Sequence, residues 1–185
     1  MEKKNIYIIT GGPGFGKSSL LTELSMRDFF CGAEAAREII EEQKARSGSI
    51  LPEIDRMAFF REVVRRRIEI FKAAPGQGAC FFDRGLPDCR AFLTASSFTV
   101  PDWFEALEKR YRYADLVFIT PPWERIFIRD NVRRESFGDS CKLHEMIVRA
   151  YTDLGYRTCD LPMAGVHERV DFIISEISDF RQGRS

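Results

Sequence analysis

Residues Gly11-Gly12-Pro13-Gly14-Phe15-Gly16-Lys17-Ser18 constrain this chain more than any other stretch. They fit G-x-x-x-x-G-K-[ST], a pattern whose backbone amides cradle phosphate groups. At average composition, a chain of 185 residues carries the pattern by chance in under about one case in a hundred, so the match is read as a site. Ile6-Tyr7-Ile8-Ile9 reads as a short buried strand before the loop, and Ser18 to Leu24 as a helix behind it. Strand, glycine loop and helix is the order such a loop requires. Glycines let the backbone come close to a phosphate, while loop N–H groups and the positive end of the helix face the anion. Lys17 is placed to reach the β- and γ-phosphates and the Ser18 hydroxyl to hold Mg²⁺, with Gly11 to Gly16 and Ser19 completing the cradle. The competing account is a plain glycine turn between strand and helix.

Around this loop, apolar strand-like runs alternate with longer helical patterns. That alternation predicts an α/β fold, three layers deep, with a doubly wound parallel sheet of five strands. Strands are expected at 6–9, 29–31, 79–82, 116–119 and 157–159. Helices are expected at 18–24, 33–45, 53–73, 86–94, 101–110, 123–132, 140–154 and 166–180, with a break near Phe137-Gly138. The apolar positions Ile54, Met57, Phe60, Val64, Ile68 and Phe71 give the third helix its period. The length suits one domain, taken as 1–180 with a lid segment at about 125–138 and a frayed tail at 181–185.

Lysine plus arginine and aspartate plus glutamate both number 28, a balance that argues against general nucleic-acid binding. Cys31, Cys80, Cys89, Cys141 and Cys159 are scattered and form no C-x-x-C, so reduced thiols and a cytoplasmic setting are expected rather than zinc or disulfides. No signal-peptide layout and no apolar run of membrane-spanning length is visible.

In doubly wound sheets, ligands bind beyond the carboxyl ends of the strands. Asp83-Arg84-Gly85 ends the third strand. Asp83 can hold Mg²⁺, directly or through water, or accept the proton of an attacking hydroxyl; Arg84 can hold a phosphate. An Asp–Arg ion pair beside a turn glycine is the structural alternative. Arg125, Arg129 and Arg133 are spaced by four, with Arg134 beside them. On one helix face they could close over a triphosphate, or they pair with Glu124, Asp130 and Glu135 on a solvated surface. Glu34, Arg37 and Glu38 read as helix surface, or as a face toward an acceptor. Arg61, Arg65, Arg66 and Arg67 read as a solvated basic face, with a phosphorylated acceptor as the alternative. His144 and His167 are assigned to surface or packing, and Trp103 and Trp123 to packing. No Asn-Lys-x-Asp guanine signature and no motor-type Asp-Glu strand end occurs.

The chain resembles the small bacterial P-loop ATPases with a kinase-like AAA domain. GGPGFGKSSL at 11–20, EAAREII at 34–40, FFDRGLPD at 81–88, PPWERIFIRDNVRRESF at 121–137, and LGYRTCDLP with ERVDFII in 154–174 carry the likeness. The resemblance implies a nucleotide-kinase-like fold with strand order 2-3-1-4-5. It implies that Gly11 to Ser19 bind the triphosphate, that Asp83 and Arg84 sit at the reaction centre, and that Arg129, Arg133 and Arg134 fall in the lid. The expected activity is phosphotransfer from ATP, with GTP as the other candidate, to an unknown small-molecule acceptor. A regulatory NTPase acting through a protein partner, or a nucleotide-binding module without turnover, are the alternatives.

Overall fold

The three central strands are short and apolar enough to be held on both faces by helices. A computed structural model describes residues 5–127 and 136–183. The strands are β1 (Ile6–Thr10), β2 (Phe30–Gly32), β3 (Cys80–Asp83), β4 (Leu116–Ile119) and β5 (Arg157–Asp160). All pair in parallel, in the order β2-β3-β1-β4-β5. The expected fold class and strand order are therefore those of the molecule.

Alternation along β1 divides the core, because successive strand side chains point to opposite faces. Ile6 and Ile8 enter one cluster with Phe60, Phe71 and Leu86; Tyr7 and Ile9 enter the other with Leu20, Val170 and Ile173. Helices α1 (Lys17–Met26) and α7 (Val166–Arg181) cover the second face. Helices α2 (Ala35–Ala45), α3 (Arg56–Ala73), α4 (Leu86–Ala95), α5 (Asp102–Arg110) and α6 (Phe137–Asp153) cover the first. The chain winds to one side of β1 for β2 and β3 and to the other for β4 and β5. The switch in direction thus falls at the carboxyl end of β1, where the glycine loop begins.

Four expectations change. Helix α3 starts later than 53 because Asp55 caps it, its carboxylate accepting from Ala58 N at 2.9 Å, and Ile54 is left outside, 62% exposed. The helix expected at 123–132 opens as a single 3-10 turn, Glu124–Ile126, after which Phe127 is extended (φ −66°, ψ 118°). Arg125 therefore does not share one unbroken helix face with Arg129 and Arg133. Phe137-Gly138 is not a break but the first turn of α6, capped by the Ser136 hydroxyl accepting from Asp139 N at 3.1 Å. Arg181 does not fray: it closes α7 and its Nε donates to the Tyr7 hydroxyl at 3.1 Å.

Candidate active site

Helix α1 begins at Lys17, directly behind Gly16, which adopts a left-handed φ of +80°. A residue with a Cβ is strained there. At Gly11 (φ +139°) a Cβ would run into the Thr120 side chain and carbonyl, so the start of the loop is pressed against the end of β4. The loop is thereby held between β1 and its neighbour strand. Lys17 is 5% exposed, and its Nζ donates to the carbonyls of Gly12 at 2.7 Å and Gly11 at 3.2 Å. The ammonium thus lies across the concave side of its own loop. Ser18 and Ser19 are exposed in the first turn of α1.

Phe15 occupies a variable position of the loop, yet its ring is 1% exposed. It packs against Phe127, Phe137 and His144 with ring centroids 6.3, 5.8 and 5.8 Å away. Its ring is therefore taken up in packing. Pro13 and Gly14 are also buried in the loop. His144 falls on the packing side of its two assignments, but beside the loop: its Nδ1 accepts from Gly12 N at 3.4 Å, and burial holds its pKa below the usual imidazole value.

Asp83 ends β3 opposite Ile9 of β1, 6% exposed, with its Oδ1 lacking a hydrogen-bond partner among the described residues. Burial raises its pKa above the ordinary carboxylate value, against the pull of Lys17 and Arg84. Arg84 follows at φ +68°, a conformation that costs a non-glycine residue about 1–2 kcal/mol. That backbone turns its guanidinium to Asp88, at 2.8 Å, and over the Phe92 ring, 5.2 Å from the centroid. The ion pair at the end of β3 is therefore with Asp88 and not with Asp83.

Asp88 is the organising group that sequence reading did not single out. Fully buried, it accepts at Oδ1 from Thr10 Oγ1 (2.5 Å) and Arg84, and at Oδ2 from Gly85 N (2.8 Å) and the Tyr151 hydroxyl (2.6 Å). Burial works to raise its pKa, but Arg84, Arg67 and these hydrogen bonds outweigh it and hold the carboxyl below its usual range. The visible signal was only its position three residues past Gly85, the spacing of an acid that bonds back to a helix start.

Two more arginines were missed as individuals. Arg67 of α3 is 7% exposed; it donates to the Gly85 carbonyl and its Nε has no partner among the described residues. Of the basic cluster on α3, Arg65 and Arg66 do form a solvated, ion-paired face, with Glu62 and Glu69 and with Glu38 and Glu42. Arg169 of α7 is 3% exposed, its Nε unpartnered among the described residues, its guanidinium 5.8 Å from the Trp123 ring and pressed toward Gly16. Burial depresses its pKa. Both were hidden because nothing in the sequence marks an arginine as buried. Arg129, Arg133 and Arg134 lie outside the described residues. His167 is a surface residue, 2.9 Å from Glu23.

Between α2, α3 and α4, beside the loop, lies a cavity of about 360 Å³. Pro13 and Arg84 reach it from the loop and from β3, and Phe59, Phe60 and Phe92 form much of its wall.

A family model described as an AAA domain matches residues 6–169, most of the chain. The chain belongs to this AAA-domain family. No curated protein matches it in sequence. Among solved structures, an AAA-domain chain of this shape is similar to NadR protein in complex with NR, at TM-score 0.67 and 19% identity over 94% of this chain and 51% of that one. It thus spans about half the length of the NadR chain. Thymidylate kinase from Ehrlichia chaffeensis aligns at TM-score 0.64 and 12% identity, over 95% of this chain and 98% of that one. Deoxyadenosine kinase from M. mycoides with bound dATP aligns at 0.62 and 15%, over 94% and 98%. At these identities the likeness establishes the fold, that of the P-loop nucleotide kinases. Among the described residues no helix is long and apolar enough to cross a membrane.

Proposed function

We propose that this AAA-domain protein moves the γ-phosphoryl group of ATP to a small-molecule acceptor seated in the cavity beside the loop. The observation that carries the reading is that cavity. It opens onto the phosphate loop at Pro13 and onto the tip of β3 at Arg84, and a hydrolase, which needs only water, has no use for it. Thymidylate kinase and deoxyadenosine kinase share the fold, which supports the kinase reading over the switch reading.

In this scheme the amides of residues 11–18 hold the triphosphate and Lys17 leaves its loop carbonyls for the β- and γ-phosphate oxygens. A cation fixed there in advance favours the transition state, in which charge shifts onto those oxygens. The residues fit a magnesium ion. Magnesium takes hard oxygen ligands and is commonly held by one or two protein oxygens together with phosphates. The buried, unpartnered Oδ1 of Asp83 and the Ser18 hydroxyl at the head of α1 are the two that would hold it. When bound, it supplies charge neutralisation across the β- and γ-phosphates. Asp83 can instead take a proton from the acceptor, a role its raised pKa favours. Arg84, paired to Asp88, orients the acceptor-facing end of β3.

The test is ADP release from ATP and magnesium in the presence of a metabolite pool. Release should depend on the pool, and Lys17→Ala should cut it by at least about a hundredfold. Release that is as fast with no acceptor, or that ignores the Lys17 substitution, rejects the reading.

A further inference from the structure

Among the described residues three arginines are buried, Arg67, Arg84 and Arg169, and Arg169 is the most enclosed at 3% exposed. The other two have partners: Arg67 donates to the Gly85 carbonyl, and Arg84 is bound to Asp88. The Arg169 side chain has no acceptor among the described residues, and its Nε is wholly enclosed. The acids nearest to it along the chain are engaged elsewhere. Glu168 Oε2 accepts from Gly165 N at 2.9 Å at the start of α7, and Asp171 is ion-paired with Arg27. Burial lowers the Arg169 pKa, and no acid among the described residues raises it again. A guanidinium is nonetheless not deprotonated in a protein, so the charge stays.

The setting makes this charge harder still to hold. Arg169 is the fourth residue of α7, and its guanidinium lies at the head of α1. A Cβ built on Gly16 would stand 3.4 Å from both Nη1 and Nη2. The amino ends of helices are partly positive, so a cation is disfavoured beside them. The Trp123 ring, 5.8 Å from the guanidinium carbon, offsets part of that cost. Lys17 does not duplicate this charge. Its Nζ crosses to the carbonyls of Gly11 and Gly12, at the other end of the loop, and it faces Asp83.

Buried charges in proteins are ordinarily paired or hydrogen-bonded. One that is neither, packed behind a phosphate loop, fits a partner that arrives with the ligand. We propose that Arg169 is a fixed countercharge for the bound nucleotide, acting on its phosphates from behind Gly16 rather than by touching them. A buried charge is screened far less than a surface one, so it still attracts anions across the loop backbone. Its pull grows with the charge of the ligand and so favours a triphosphate over a diphosphate. The same charge burdens the empty protein. This rests on the loop holding a triphosphate, as the transfer reading requires, and is indifferent to what accepts the phosphoryl group.

The test is calorimetry of ATP and of ADP, each with magnesium, on the full-length wild type, Arg169→Met and Arg169→Lys. The thermal midpoint of each protein is measured without nucleotide. Arg169→Met keeps the bulk of the stem and removes the charge. It should weaken ATP tenfold or more and ADP less, while the empty protein melts no lower than the wild type. Arg169→Lys should recover most of the lost ATP affinity. Equal losses for ATP and ADP that lysine does not rescue would make Arg169 a packing or base-holding residue and overturn the proposal. Unchanged ATP affinity in Arg169→Met would overturn it too, as would an Arg169→Met protein that melts several degrees lower or fails to fold. A wild type that binds neither nucleotide sinks this inference and the transfer reading together. ATP binding that depends on Arg169, with no transfer to any acceptor, sinks the transfer reading alone.

Discussion

Asp88 and Asp83, five positions apart at one end of the sheet, are buried acids pushed in opposite directions. Asp88 is charged and fully solvated by protein donors, whereas Asp83 has one oxygen left unpartnered. The difference sets their effects on stability. A carboxyl whose folded pKa lies below its unfolded value stabilises the fold above the unfolded value, and that contribution is lost as pH falls through the folded one. Asp88 therefore makes the wild type weaker below about pH 4. Asp83, shifted upward, works in the opposite sense: protonation on acidification favours the fold. Asp88→Asn should cost about 3–5 kcal/mol at pH 7, because it leaves Arg84 and Arg67 without a countercharge. Its stability should also fall less steeply on acidification than that of the wild type. Urea unfolding of both proteins from pH 7 to pH 3 measures the two effects, and a parallel pH dependence would assign the acid loss elsewhere. None of this division was legible in the sequence, where Asp83 stood out by its place at a strand end and Asp88 passed for an ordinary first-turn acid. The partners that decide it, Thr10 and Tyr151, are 78 and 63 positions away along the chain.

The elements themselves were readable where a strand is buried on both faces. The runs at β1, β3 and β4 carry only apolar side chains until their last residue, and their bounds were placed to within a residue. What failed was the stretch after β4, where arginines at helical spacing suggested a continuous helix. Packing overrides that spacing: the Phe127 ring turns toward Phe15 and Phe137, 5.3 Å from the latter, and the backbone extends to allow it. Phe15 thus ties the loop behind β1 to the 3-10 turn after β4 and to the start of α6. Phe15→Ala should cost about 3–5 kcal/mol, as expected for a large aromatic removed from a closed cluster. Chemical unfolding should show a lower midpoint with an unchanged denaturant slope. A cost under about 1 kcal/mol would mean that the cluster collapses readily around the missing ring.

At the scale of the molecule, the loop, Asp83 and the cavity meet at the carboxyl end of the sheet, so occupancy there should be felt by the whole fold. A ligand present at about a hundred times its dissociation constant adds about 2.7 kcal/mol to the stability of the state that binds it. For a chain of this size each kcal/mol moves the thermal midpoint by about 2–4 °C. ATP with magnesium should therefore raise the midpoint by about 5–10 °C, and Lys17→Ala protein should show no rise. A wild-type midpoint indifferent to ATP would remove the premise that the loop grips a triphosphate. The lateral margin of the sheet at β5 has its own logic. β5 pairs only with β4 among the described residues, and it places exposed Arg157 and Asp160 at its two ends. A lone outer ribbon with open amides is an invitation to recruit further chains, and ionised groups along such a rim are a common deterrent. By setting ionised groups on its exposed outer ribbon, where β4 beside it is wholly apolar, the fold discourages its own lateral growth.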